Sequence, residues 1–362
     1  MILKKKAIRR AARFLLVGGF VAGGVKLVLL IGPSVPERSA YLHFDGFITL
    51  PSEKAVNVMD YISVSAEDLF VASPSSGSVF KVTLDRTKSA RALEIGVIPG
   101  KGSAHGIALE PSGQQGFISR SGRDTVDLVD PATLRISKEI AVAADPDAIL
   151  FDPLSGLLYV ASGESGRATL IDPAKGVVAA SISLGGVPEF AVVDEENDLI
   201  YQTIKDRNML AIVDPRRRDL VANRSLSECQ APTGLAIDQR HRRLFVNCSG
   251  NARLVVVDMD GNRTIAALPI APHADSVAFD ALHGRLYTTG RNGELSIIQQ
   301  DGPHSYRLLD RIATHYGAHT LAVDPKTHQV YLAYASLLAA PKIAVFTPSL
   351  TIEGSAGSGA RD

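Results

Sequence analysis

The sequence predicts an all-β protein: a seven-bladed β-propeller of four-stranded antiparallel blades, its ring closed by an N-terminal strand that completes the last blade. Three observations predict it. An acid recurs at Glu110, Asp152, Asp194, Asp238, Asp280 and Asp324, at intervals of 42, 42, 44, 42 and 44 residues. An aromatic follows each acid by seven positions, at Phe117, Tyr159, Tyr201, Phe245, Tyr287 and Tyr331. The segments between are short runs of Val, Ile, Leu and Tyr bounded by Gly, Pro, Ser or Asp, which are strand and turn signals. A period of about 40–45 residues suits propeller blades or paired-helix repeats. No run is long enough, or spaced at the helical period, for the second.

The elements follow in chain order. Lys4, Lys5, Lys6, Arg9, Arg10 and Arg13 precede an apolar run over residues 14–32. A basic start before an apolar run predicts a hydrophobic helix, either a cleaved export signal or a membrane-spanning signal anchor. No small-x-small cleavage site follows, because Arg38 sits two residues before Ala40, and this favours the uncleaved anchor. The expected location is the bacterial periplasm, tethered to the inner membrane or secreted after cleavage. Residues 1–39 are then signal and linker, 40–349 the propeller with 40–52 as its closing strand, and 350–362 a disordered tail.

The first blade opens with YISVSAEDLFVAS, Tyr61 to Ser73. A complete unit reads DAILFD, PLSG, LLYVAS, GESG, RATLID, PAKG and VVAASISL, which is four strands joined by three turns. Asp-Pro opens a turn because proline presets φ while the Asp side chain caps the backbone. Second anchors at Asp130, Asp172, Asp214 and Asp258 lie twenty residues past the first. They end the third strand and open the next turn. The last blade shows three strands, HTLAVD, VYLAY and KIAVF, and lacks a fourth. The segment from Tyr41 to Leu50 precedes the first blade and has no blade of its own. It is assigned as the missing strand, since an open ring would leave two unpaired sheet edges.

The phrase LLYVAS followed by TLIDP resembles the YVTN-type repeat family, which includes YncE-like periplasmic seven-bladed propellers, and the resemblance runs over residues 55–348. Where the family favours Asn, this chain carries Ser in its first three blades, and Asn247 stands in LFVNCSG. The resemblance implies fold and an exported location. It says little about function, because the matching residues build turns and blade cores. It implies only by analogy that the chain could serve as an electron-transfer partner of quinoproteins.

Composition narrows the classes. Thirty-eight basic and 38 acidic residues give no net charge, hence no global signal for nucleic acid or an anionic surface. The two cysteines, Cys229 and Cys248, form no CxxC, which excludes a cysteine zinc cluster and an attached haem. Both fall on one face of the fifth blade, as a disulfide in an oxidising compartment or as two buried thiols. There is no GxSxG, no phosphate-binding loop and no GxGxxG before a helix.

The loops joining strands d to a and b to c share one face, and they vary between repeats. Five residues before each anchor acid stand His105, Asp147, Glu189, Thr233, Asp275 and His319, with Asp60 in the first blade. These start the innermost strands and should circle the channel mouth. His with carboxylates can hold a divalent metal or act as acid and base. The catalytic candidates are His105, Asp147, Glu189, Asp275 and His319. The alternative is that each polar residue caps its own turn. Related seven-bladed folds use this mouth for metals or for lyase and lactonase chemistry, an analogy of fold only. Outside the ring a basic rim is expected from Lys101, Arg120, Arg123, Arg167, Lys205, Arg207, Arg253 and Arg291. It would suit a small anionic ligand or a protein partner, or it is solvated loop charge. His283 and His328 read as turn residues on the opposite face. The sequence requires no cofactor, admits a divalent metal at the mouth, and predicts a monomer. Two functions stay open: a binding scaffold, or a lyase or hydrolase.

Overall fold

The computed structural model describes residues 34–52 and 54–349. The expected signal or anchor helix and the tail lie outside the described residues. Among the described residues, no helix is long and apolar enough to cross a membrane. Seven four-stranded antiparallel sheets are arranged as blades. Blade one comprises Ile62–Val64, Asp68–Ser73, Ser78–Leu84 and Ala92–Ile98 as strands a to d. Blades two to six span 103–141, 146–183, 188–225, 232–269 and 274–313, and blade seven begins at Thr320. Strand a of each blade packs against strand a of its neighbours and is innermost.

Blade seven has Thr320–Val323, Val330–Tyr334 and Lys342–Pro348, and its fourth strand is Leu42–Thr49. The ladder runs from Leu42 opposite Pro348 to Thr49 opposite Lys342, with one bulge between Phe44 and Gly46. Leu42, Ile48 and Leu50 are buried in the flanks of the last blade. Phe44 packs on Phe346 and Phe47 on Tyr334, each at 5.5 Å between ring centroids. A two-residue ladder between Val56–Asn57 and Ser336–Leu337 adds a second tie that the repeat pattern gave no sign of.

The core lies between blades. The repeat aromatics Phe117, Tyr159, Phe245, Tyr287 and Tyr331 are all buried on blade flanks. Rings on such flanks remove large apolar areas from water and set blade spacing. The anchor acids prove to have two roles. Asp152, Asp194, Asp238, Asp280 and Asp324 are buried, and each caps its own turn by accepting backbone N–H groups. Four of them also accept a donor from the next blade: Arg242 to Asp194, Gln300 to Asp238 at 2.9 Å, His328 to Asp280 at 2.9 Å, and Arg86 to Asp324. A buried carboxylate without such partners would be costly, so the recurring acid latches blade to blade. At Asp152 the neighbour is instead a second carboxyl. Burial and the Asp152 charge push the Asp198 carboxyl up, and Arg216 ion-pairs with it.

Cys229 and Cys248 are joined, with 5.1 Å between their Cα atoms. The bond ties the loop before blade five to the end of its strand b.

Candidate functional site

A recurring backbone irregularity builds the ring at the mouth. In blades two to six, strand a carries a β-bulge against strand b, between Ala104 and Ile107, Pro146 and Ile149, Pro188 and Ala191, Pro232 and Leu235, and Ala274 and Val277. Two residues there face one residue of strand b. The first of each pair is the ring residue: His105, Asp147, Glu189, Thr233 or Asp275. A bulge re-aims side chains that a regular pleat would send toward the neighbouring blade. Strand b answers with a polar side chain. Ser119 donates to the Asp147 carbonyl at 2.6 Å, Thr203 to the Thr233 carbonyl at 2.7 Å and Thr289 to the His319 carbonyl at 2.6 Å. Each hydroxyl therefore fixes the ring position of the next blade.

The ring pairs its own charges. Nδ1 of His105 lies 2.8 Å from Asp60 Oδ2 and 3.6 Å from Asp147 Oδ1, while its Nε2 meets the Ser121 hydroxyl at 2.9 Å. Glu189 takes the Lys205 ammonium at 2.7 Å, and Lys205 is placed by a single 3-10 turn, Lys205–Arg207. Asp275 takes the Arg291 guanidinium at 2.8 Å, with Nε2 of His319 3.8 Å away. The other nitrogen of His319 lies 2.6 Å from the Gly317 carbonyl.

These contacts set the protonation states. Burial pulls the His105 imidazole down, but its hydrogen bond to Asp60 and the Asp147 and Asp60 charges outweigh that and raise it to about 9. Burial raises the Asp147 carboxyl to about 7, against the pull of the His105 charge. Burial also raises Glu189, partly offset by Lys205. Burial pushes Asp275 up as well, yet Arg291, His319 and Lys205 together hold it below the usual carboxylate range.

Beside the ring residues two aromatic side chains meet across the channel. The Tyr61 ring meets Phe190 at 4.7 Å between centroids, joining blade one to blade four across the axis. The Tyr61 hydroxyl is pushed well up by burial and then by the charges of Asp147, Asp60, Glu189 and Asp275. Neither aromatic was singled out from the sequence. The signal was there: the residue after each ring position is Gly106, Ala148, Gly234, Ser276 or Thr320 in the other blades, a column of small side chains broken by Tyr61 and Phe190.

Several expected site residues sit elsewhere. Thr233 is buried, and its hydroxyl donates to the Ala274 carbonyl at 2.9 Å, so it ties blades and offers nothing to the mouth. Arg120 is not on the rim. Its side chain is 0% exposed, lies between blades one and two, and pairs with Asp127 at 2.6 Å. It still lies within strand b, Gly116–Ser121, with its side chain turned inward to the blade flank, two residues before the b–c loop begins. Arg123 pairs with Glu139 at 2.9 Å, Arg167 with the Ser181 hydroxyl at 2.8 Å and Arg207 with Asp206 at 3.5 Å. Arg253 is exposed at the start of strand c. Among the described residues, Arg291 is the one rim arginine ion-paired with a ring residue, and Lys205 is its lysine counterpart.

The mouth is thus a polar surface in which Asp60, Glu189 and Asp275 each face a cation, while Asp147 leaves its buried Oδ1 without a hydrogen-bond partner among the described residues. One triad, Asp60, His105 and Asp147, brings ligand atoms within 4.8 Å of one another and has the donor set for a divalent metal. Stability should carry the signature of this triad. An imidazole raised when folded stabilises the fold fully below its unfolded value of 6.5, and that contribution is lost as pH rises through about 9. A carboxyl raised to about 7 acts in the same direction at lower pH, because the folded state holds its proton longer. The melting temperature should therefore fall between pH 6.5 and 9. His105→Gln should flatten that alkaline limb, and an unchanged slope would refute the assignment.

No family model matches the chain, and no curated protein matches it. Solved structures do. The WD40 β-propeller domain of Doa1 superposes with a TM-score of 0.68 at 10% identity, covering 84% of this chain and 97% of that one. Kuenenia stuttgartiensis hydrazine synthase gives a TM-score of 0.54 at 19% identity, covering 63% of this chain and 72% of that one. Identities this low speak to fold alone. Fold and site together define a seven-bladed β-propeller with an ionisable ring at its channel mouth.

Proposed function

We propose that the chain is an exported propeller of the YVTN type that works as a binding scaffold, its loop face holding a protein partner or a small polar ligand over the channel mouth. One observation carries this reading: Asp60, Glu189 and Asp275 of the ring are each already paired with a neighbouring cation, beside the Tyr61–Phe190 contact. Groups already spent on one another are poor catalysts but good selectors, since a partner must offer matching charges or leave buried ones unpaired. The Cys229–Cys248 bond supports export, because such bonds persist in oxidising compartments. The basic and apolar residues up to 32 support tethering by a signal anchor.

Photo-crosslinking in cells tests the reading. A photoreactive residue at Arg123 or Arg207, on the loop face, should give discrete adducts that Leu154 or Leu282, exposed on the opposite face, do not. Equal labelling from both faces, or none, would sink it. The Asp60–His105–Asp147 triad favours a second reading, a metal-dependent lyase or hydrolase. That reading requires stoichiometric metal that disappears with His105→Ala.

A further inference from the structure

On the face opposite the mouth, blades six and seven meet at Asp280, His283 and His328. Asp280 ends strand a of blade six and is buried. His283, in the turn that follows, places Nδ1 2.6 Å from one carboxylate oxygen. His328, from the equivalent turn of blade seven, places Nδ1 2.9 Å from the other. The rings are 4.8 Å apart at 76°, and the two side chains are 15% and 20% exposed, so both stay open to solvent at one edge.

We propose that this junction is a binding site for a divalent transition metal, with the two imidazoles as ligands and Asp280 as the carboxylate that orients them. An imidazole that donates Nδ1–H to a carboxylate is fixed in one tautomer, with a lone pair left on Nε2 for a metal. Here one buried carboxylate lies within hydrogen-bond reach of Nδ1 on two rings at once. One nitrogen of each ring and a carboxylate oxygen of Asp280 fall within 4.8 Å of one another, and the ring centroids are 4.8 Å apart. Imidazole pairs suit zinc, copper or nickel and not magnesium or calcium.

The other blade junctions sharpen the point. At the same two turn positions Asp194 is held by Asn197 and Arg242, while Asp324 takes Arg86 from the turn after strand c of blade one. Asp238 is held by His241 at the first of these positions and by Gln300 from strand c of blade six. Latching a buried acid therefore does not require imidazole. Among the described residues, the junction of blades six and seven alone supplies one from each side.

Metal-stripped, tag-free protein titrated with Cu²⁺ tests this. About one ion per chain should bind, with an electron paramagnetic resonance spectrum showing coupling to two imidazole nitrogens. His283→Gln and His328→Gln should each abolish that site, and Asp280→Asn should weaken it by roughly 10–100-fold, as loss of a ligand-orienting carboxylate does. His105→Ala should leave it intact. A wild-type spectrum with fewer than two nitrogens would overturn the proposal whether or not the variants fold. So would binding that survives His328→Gln or vanishes with His105→Ala.

Discussion

A chain beginning at Ala55 is expected to lose its cooperative thermal transition and to aggregate, while one beginning at Ser34 should melt sharply. The difference is the closing strand. Leu42, Ile48 and Leu50 are each 4% exposed or less. At ~1.5–3 kcal/mol for each fully buried apolar side chain, these three contribute roughly 5–9 kcal/mol. That matches the whole net stability of an ordinary domain, about 5–15 kcal/mol. Removal also exposes Lys342–Pro348 as an unpaired apolar edge, an invitation to intermolecular pairing. Circular dichroism melts and size-exclusion chromatography of the two chains would check this. A truncated chain that stays monomeric and melts within a few degrees of the longer one would contradict it.

Arg120→Met is expected to cost about 3–5 kcal/mol, the usual loss when one partner of a buried pair is removed. Asp127 is 3% exposed and pushed up by burial even with Arg120 beside it. Without the guanidinium it becomes a buried, uncompensated carboxylate. Arg120 also donates to the Gly77 carbonyl, so its loss frees a backbone acceptor of blade one. Replacing both partners, Arg120→Met with Asp127→Leu, should recover much of the loss, because the penalty lies in the unpaired charge and not in the missing attraction. Urea unfolding of the two single variants and the double variant measures this. A double variant as unstable as the sum of the singles would show that the pair acts through packing alone.

The repeat made most of the fold legible. Anchor acids at a fixed period marked turns, and the aromatics marked strand b, so blade number and closure followed from spacing. What spacing does not carry is geometry created between blades. The acids read as turn caps; their latch to the following blade joins residues far apart in sequence, such as Arg242 and Asp194. The ring positions were found by counting back from each acid, yet their aim comes from a bulge that a simple strand period does not encode. Arg120 and Arg123 look alike in the sequence. One lies in the core and the other on the surface, because a strand side chain points to the flank while its loop neighbour points to water. Tyr61 and Phe190 meet only because the ring brings blades one and four across a common axis.

The state of His105 tests the charge pairing at the mouth most directly. Nuclear magnetic resonance of selectively labelled histidine, followed against pH, reports that imidazole. The imidazole is expected to be cationic at neutral pH and to titrate at about 9, with the midpoint falling when Asp60→Asn removes its nearest partner. A His105 imidazole that is already neutral at pH 7 would contradict it, since the ring would then hold a free base or metal ligand in place of a paired cation.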